Sequence, residues 1–442
     1  MKNRQYSILN YGCQMNESDA EHFAGQLAEL GYSYSEDYHN ADIVVVNTCC
    51  VRESAEKKIL GKIGEFKGIK IENTKQILCL AGCMAQKGGE ALLKKYPQID
   101  LLIGTAQVNN FKPIILNYLA EHGQRVHADM KINEQEFEGQ AVRESTYAAW
   151  IPIMYGCNNF CTYCIVPHVR GRERSRSKEN IIAEIEKAVA AGYLEFTLLG
   201  QNVNSYGKDL GNSNAFAELL KACSEIKGVK RLRYMTSHPR DMNEEVIKIA
   251  AQQKSICKHF HVPVQAGSNK ILKAMNRGYT KEKFLSLIAM IRKYAPDAAI
   301  TTDIIVGFPG ESDADFNETL ELVKNIEFDA AYTFIYSKRS GTPAANFEEQ
   351  IPLAVKKARL NQLMEIQNIN SLKKNKELEG TVQEVIVEGP SKNNSSIWSG
   401  RTGSNKLVLW PMEDKEYKIG DLVKIKITAA QTWLLKGIAE NE

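Results

Sequence analysis

The chain has no run of about 18 apolar residues, so no part of it reads as a membrane-spanning helix. Its opening stretch, MKNRQYSILNYGC, returns to polar residues too early for a secretory signal, and a cytoplasmic protein with no membrane partner is expected. Tandem repeats and low-complexity tracts are missing, which argues against repeat arrays and disordered tails. An excess of charge of either sign is lacking as well. Lys+Arg 56 against Asp+Glu 53 leaves a net charge of +3, too small to announce a polyanion partner by itself. In a reducing compartment the ten cysteines are not expected to be structural disulfides, which leaves ligands, nucleophiles or small buried residues.

What is present is ordinary for a soluble globular protein, with 43% hydrophobic and 25% charged residues. A length of 442 residues exceeds what one core supports, and two to three domains are expected. From Tyr6 to about Phe111, apolar runs (YSILNYG, ADIVVVNT, QILCLAG, IDLLIGT) alternate with helical stretches, the pattern of an open parallel α/β sheet. Residues near 120–145 are polar and without periodicity, as in a connection between domains. A second alternating region, from Trp150 to about Tyr336, supplies the strands AWIPIMYG, EFTLLGQN, LRYMTS, HFHVPVQ, ITTDIIVGF and AAYTFIYS and predicts a partial (β/α)6 barrel. The stretch after Pro352 predicts one long amphipathic helix with Leu360, Leu363, Met364 and Ile366 on its apolar face. From about Gly380, short strands separated by Gly, Asn and Pro predict a small β-barrel. The expected fold class is therefore α/β, with domains at 1–145, 146–376 and 377–442.

Cys157, Cys161 and Cys164 form a C-x3-C-x2-C run in YGCNNFCTYCIVPHVRG, directly after an expected strand. Three thiolates leave one iron of a 4Fe–4S cluster without a protein ligand, and that iron can chelate the amino and carboxylate groups of S-adenosylmethionine (SAM). A structural zinc loop closed by His168 is the other reading. Cys13, Cys49 and Cys83 are far apart in sequence, yet each follows an apolar strand, in YGC, NTC and AGC. In an open parallel sheet those ends share one edge, where a second set of three soft ligands would converge. Three small buried residues is the plainer alternative. Cys50, Cys79, Cys223 and Cys257 read as packing residues.

On these residues the chain resembles the radical SAM methylthiotransferases. YGCQMNESD, NTCCVRESAEKK and AGCMAQ resemble that family's N-terminal cluster domain, GCNNFCTYCIVPHVRGRERSR its SAM motif, and TDIIVGFPGE a barrel-strand signature. RGRERSR, VPVQAGSNKILKAMNRGYT and VEGPSK with GRTGSNKLV resemble the bacterial branch acting on isopentenylated adenosine beside the tRNA anticodon. Departures are a second cysteine at Cys50, and Val264 and Ala266 in VPVQAGS.

The resemblance implies two 4Fe–4S clusters, one held by Cys157, Cys161 and Cys164 and an auxiliary one held by Cys13, Cys49 and Cys83. One SAM would give the methyl group and another the radical, a route suited to an aromatic C–H with no acid–base chemistry at neutral pH. Candidate SAM contacts are Tyr163 in the cluster loop and Gln201, Asn202, Ser237, His238, Gln265 and Asp303 around the barrel mouth. Arg170, Arg172, Arg174 and Arg176 form a basic run suited to tRNA phosphates. The last region, with ten acidic and eight basic residues from Glu377, is not basic, so RNA binding there follows from resemblance to a TRAM domain. Arg401, Trp398, Trp410 and Trp433 are its candidate RNA contacts, with core packing equally open to the tryptophans. An electron donor such as flavodoxin or ferredoxin and a monomeric state are expected. Competing readings are a relative acting on threonylcarbamoyl-adenosine or a ribosomal aspartate, and a non-catalytic RNA-binding protein with structural metal. Iron and sulfide content would separate the last of these.

Overall fold

Isoleucine and valine fill the strand Ile43–Thr48, which is buried on both faces, and such a strand requires helices above and below it. The computed structural model, which describes residues 4–50, 53–130, 141–412 and 416–440, shows that arrangement. It divides into one unit of residues 1–144, 150–158 and 165–176 and a second of residues 145–149, 159–164 and 177–442.

The first unit runs β1 (Gln5–Tyr11), α1 (Gln14–Glu29), β2 (Ser33–Tyr34), β3 (Ile43–Thr48), α2 (Glu53–Glu72), β4 (Ile77–Gly82), α3 (Cys83–Lys95), β5 (Leu101–Ile103), α4 (Phe111–Glu121) and β6 (Val126–His127). Its sheet has the order β2-β1-β3-β4-β5-β6, with every pairing parallel. Ile43, Val45, Cys79 and Ala81 pack on Phe23 and Leu27 of α1 and on Phe111 and Ile115 of α4. The alternate residues Val44, Val46, Leu78 and Leu80 pack on Ile59, Ile63 and Phe66 of α2 and on Met84 of α3. The two-residue period thus sends each strand's side chains into two separate cores.

The connection expected at 120–145 begins later than its polarity suggests. Val126 and His127 pair with Leu102 and Ile103 as the sixth strand, because backbone groups at a sheet edge gain hydrogen bonds whatever the side chains are. Residues 131–140 of that stretch lie outside the described residues. The unit is completed by β8 (Met154–Tyr155), which follows β7 (Ala148–Pro152), by α5 (Val166–Arg170), and by β9 (Arg174–Ser175), antiparallel to β8.

In the second unit, α6 (Lys178–Ala190), β10 (Glu195–Leu199), α7 (Ala215–Glu225), β11 (Arg231–Tyr234), α8 (Glu244–Gln252), β12 (His259–His261), α9 (Asn269–Ala274), α10 (Lys281–Tyr294), β13 (Ala299–Val306), α11 (Asp313–Ile326) and β14 (Ala330–Ile335) form a partial β/α barrel. β10 pairs with β11, and β13 lies between β12 and β14, all in parallel. At the seam, Leu232 of β11 makes a parallel bridge with Ile256. Ser177, Asn243, Thr280 and Ser312 cap α6, α8, α10 and α11, each accepting from the N–H three residues on.

The long helix α12 (Leu353–Lys376) forms where expected and buries Leu363, but the rest of its buried stripe is polar. Lys356 donates to Tyr336 O, Gln367 to Phe328 O, Asn370 to Val323 O and Ser371 to Asp329 O, whereas Met364 is exposed. The helix lies across segment ends whose carbonyls need donors, so hydrogen-bonding capacity decides which face turns inward.

The strands β15 (Val382–Ser391), β16 (Asn394–Thr402), β17 (Leu407–Pro411), β18 (Leu422–Ala430) and β19 (Leu435–Ala439) close as a barrel in the order β15-β16-β17-β19-β18. Val385, Val387, Val408, Trp410, Ile425, Ile427 and Leu435 fill it. Arg231 and Arg233 of β11 fix it in place, donating to the carbonyls of Arg401, Glu384, Gly403 and Thr402 at 2.7–2.9 Å.

Candidate cluster and ligand sites

Tyr11, Thr48 and Gly82 are register partners across β1, β3 and β4, so Cys13, Cys49 and Cys83 all emerge one or two residues beyond a common row. Gly82 has φ +87°, and a Cβ there would lie 2.4 Å from Thr48 O, so the chain can turn into Cys83 only with glycine. Beneath the cysteines, Asn16 Oδ1 accepts from both the backbone N–H and the thiol of Cys13, each at 3.3 Å. Asn16 Nδ2 in turn donates to Thr48 O, and Asn47 Nδ2 donates to Asn16 O and Asn10 Oδ1.

Cys49 and Cys83 are buried and Cys13 is open to solvent. A hydrogen bond from Cys49 and the charge of Arg170 bring the Cys13 thiol down to about 6. A hydrogen bond from Cys50 and the same arginine bring Cys83 down to about 7. Thiols lowered in this way lose their proton more readily, as a metal ligand must. Cys50, read from sequence as packing, shares a buried cluster with Cys83, Ile165 and Val169 and so stands inside this site. The departure from the family pattern at this position, a second cysteine after Cys49, was the sequence signal that could have drawn attention to it.

Cys157, Cys161 and Cys164 fall within eight consecutive residues. Gly156, φ +78°, opens this loop, since a Cβ there would lie 2.0 Å from Arg172 O. Cys157 N donates to Gly171 O and Cys164 N to Cys161 O. Arg277, which the sequence reading passed over, is buried and donates to Cys161 Sγ at 3.3 Å and to Tyr163 OH at 3.4 Å.

At the barrel mouth, Asn202 Nδ2 donates to Asp241 at 2.7 Å and its Oδ1 accepts from His238 N at 3.1 Å, so its amide serves the protein's own structure. Burial, together with the Arg277 charge, pushes His238 down to about 2, and its ring is neutral. Ser237 Oγ and His238 Nε2 are buried and have no hydrogen-bond partner among the described residues. Polar atoms left so can pair with a bound ligand or an ordered water. Gln265, at φ +72°, is buried and fixed by backbone bonds with Asp303 O and Ile305 N. Asp303 is partly exposed, with His261 Nε2 at 3.5 Å, and Gln201 is half-buried.

The arginine run does not face one way. Arg170 is buried against Asp19 at 2.9 Å, and Arg176 is buried with its guanidinium on Pro152 O at 2.6 Å. Neither can reach a phosphate, because a buried guanidinium already paired to an internal acceptor would have to be pulled from the core. Arg172 is exposed, Arg174 lies half-buried over the Tyr155 ring, and Arg401 pairs with Glu388 at 3.1 Å while remaining part-exposed. Trp410 is core and Trp398 packs on Tyr417, whereas Trp433 is 61% exposed.

These residues fit iron–sulfur clusters and SAM. The donor set is soft thiol, with lowered thiols at the sheet edge and unsatisfied buried polar atoms at the barrel mouth. Among the described residues no three His, Cys, Asp or Glu side chains close on a single metal ion, and a four-iron cube asks each cysteine for a different iron.

Three family models match the chain: Uncharacterized protein family UPF0004 at residues 5–104, Radical SAM superfamily at 151–323 and TRAM domain at 376–439. A protein of Clostridium botulinum (strain Hall), described as tRNA-2-methylthio-N(6)-dimethylallyladenosine synthase, is 50% identical over 98% of this chain and 96% of its own length. A protein of Carboxydothermus hydrogenoformans with the same description is 49% identical over 99% of this chain and all of its own. Among solved structures, the radical SAM methyltransferase TsrM from Kitasatospora setae, with cobalamin and a 4Fe–4S cluster bound, has a TM-score of 0.58. At 13% identity over 78% of this chain and 74% of that one, the likeness is one of fold.

Proposed function

The chain belongs to the family of tRNA-2-methylthio-N(6)-dimethylallyladenosine synthases, and from that we propose how its own residues divide the work of methylthiolating an isopentenylated adenosine. It is a radical SAM tRNA methylthiotransferase that uses SAM and 4Fe–4S clusters. Cys157, Cys161 and Cys164 hold one cluster, and Cys13, Cys49 and Cys83 hold the auxiliary one. When bound, the clusters supply the electron that splits SAM and an iron on which sulfur is carried.

The observation that carries this reading is the shared register row Tyr11, Thr48 and Gly82, which brings three sequence-distant cysteines to one sheet edge. Ser237 Oγ and His238 Nε2 bind polar groups of SAM, since they are buried and lack partners. Asn202 orients the His238 loop, and Tyr163, Gln265, Gln201 and Asp303 line the same ligand's site. A neutral His238 neither repels the sulfonium nor consumes a proton. Arg172, Arg174, Arg401 and Trp433 meet the tRNA.

The three functional regions are 1–145, 146–376 and 377–442. The protein acts in the cytoplasm as a monomer and takes electrons from a flavodoxin or ferredoxin. None of its described helices is long and apolar enough to cross a membrane.

Anaerobic reconstitution followed by SAM, reductant and isopentenylated tRNA tests the whole reading by nucleoside mass analysis. The methylthio nucleoside is expected. Production of 5′-deoxyadenosine without it, on a tRNA fully isopentenylated, would sink the substrate assignment.

A further inference from the structure

Arg277 is 4% exposed, and its guanidinium is held on every side. Nε donates to Tyr279 OH at 3.1 Å, Nη2 to Pro263 O at 2.8 Å, and Nη1 to Cys161 Sγ at 3.3 Å and Tyr163 OH at 3.4 Å. Tyr279 OH passes its own proton to Val264 O at 2.7 Å, so the tyrosine is fixed in turn. All these partners are neutral or are thiols. Among the described residues no carboxylate pairs with Arg277.

A buried cation without an anion is strongly disfavoured, and native proteins tolerate one where a ligand brings the missing charge. The contrast with Arg170 is direct, because that buried arginine has Asp19 at 2.9 Å. What Cys161 binds lies directly against Arg277 and brings negative charge to it. Thiolates and the cluster they carry are net negative, and they become more so when reduced. A fixed positive charge and an N–H···S hydrogen bond therefore favour the reduced state, and such bonds are among the features that set cluster potentials.

We infer that Arg277 is the resident counter-charge of the SAM-cleaving cluster, a positioning residue that holds Cys161 and raises the cluster's reduction potential. The inference rests on the assignment of Cys157, Cys161 and Cys164 to that cluster. It adds what no residue type in that motif supplies, namely a reason why a weak biological reductant can load an electron there.

The test uses the full chain with Cys13, Cys49 and Cys83 changed to alanine, so that one cluster remains, and compares R277K with R277Q. Iron is counted after anaerobic reconstitution, and the midpoint potential is read by redox titration of the reduced cluster's EPR signal without SAM. Lysine keeps the charge and glutamine keeps an N–H donor alone. The expected result is a midpoint close to the parent in R277K and clearly more negative in R277Q. A cluster retained by R277K and lost from R277Q also supports the role of charge. Equal midpoints in the two variants, or loss of the cluster from both, would overturn the inference. A parent protein that binds no iron would instead overturn the ligand assignment beneath it.

Discussion

Asp19 Oδ2 accepts from Arg170 Nη2 at 2.9 Å with both side chains buried, which joins α1, the helix that starts behind Cys13, to α5, the helix that ends at Arg170. The same guanidinium acts on Cys13 and Cys83 through its charge. An arginine that reads in sequence as a phosphate contact is in the structure buried, with its charge acting on Cys13 and Cys83.

Arg170→Ala is expected to cost about 3–5 kcal/mol of stability, the usual loss when one partner of a buried ion pair is removed. Denaturant unfolding checks the cost. The salt dependence of tRNA binding should not change in this variant, while Arg172→Ala should make it shallower by about one released counterion. A shallower slope in the Arg170 variant would return that residue to the RNA interface.

Gly82→Ala places a methyl group within 2.4 Å of Thr48 O in a backbone conformation that disfavours alanine. Displacement of Cys83 should follow, with iron falling from about eight to about four per chain. Reductive cleavage of SAM should survive, since the other cysteines are untouched. Full iron loading would show that the turn tolerates the side chain.

His259 is held at about 3 by burial and the Arg233 charge, against an ordinary 6.5. As pH falls through 6.5 the unfolded chain takes up this proton and the folded chain does not, so stability is lost until the pH approaches 3. Between pH 7 and pH 5 the loss is about 2 kcal/mol. Urea midpoints measured across that range should fall less steeply in His259→Gln, and parallel curves would count against the shift.

Trp433 and Trp410 should part company under mutation. Trp433→Ala is expected to weaken tRNA binding by about 1–3 kcal/mol, the range for loss of one base-stacking platform, with thermal stability intact. Trp410→Ala, at the centre of the small barrel, is expected to cost about 3–5 kcal/mol of stability. Binding isotherms and melting curves on both variants decide between the roles.

The parallel sheet and the β/α alternation follow from local pattern, because a strand's alternation and the residue just beyond its end do not depend on partners elsewhere. That is why Cys13, Cys49 and Cys83 could be grouped from YGC, NTC and AGC although they lie far apart in sequence. The inward face of α12 was legible only in part, since Leu363 is buried and Leu360 and Ile366 are half-buried while Met364 is exposed and polar residues make up most of the buried stripe. Leu360, Met364 and Ile366 are apolar, but which face is buried depended on carbonyls at Val323, Phe328, Asp329 and Tyr336, none of them near it in sequence.

By itself, then, the chain's order of residues determined most of its elements and which thiols follow a strand end, since both rest on local pattern, whereas the edge strand β6 escaped it. Only the tertiary structure decided the fate of its charged groups. Arg170 faces Asp19, Arg176 faces Pro152 and Arg277 faces Cys161, and each sits inside the protein because a partner from another segment meets it there. The electrostatic cost of burying a charge is set by what surrounds it in space, and adjacency along the chain carries no record of that.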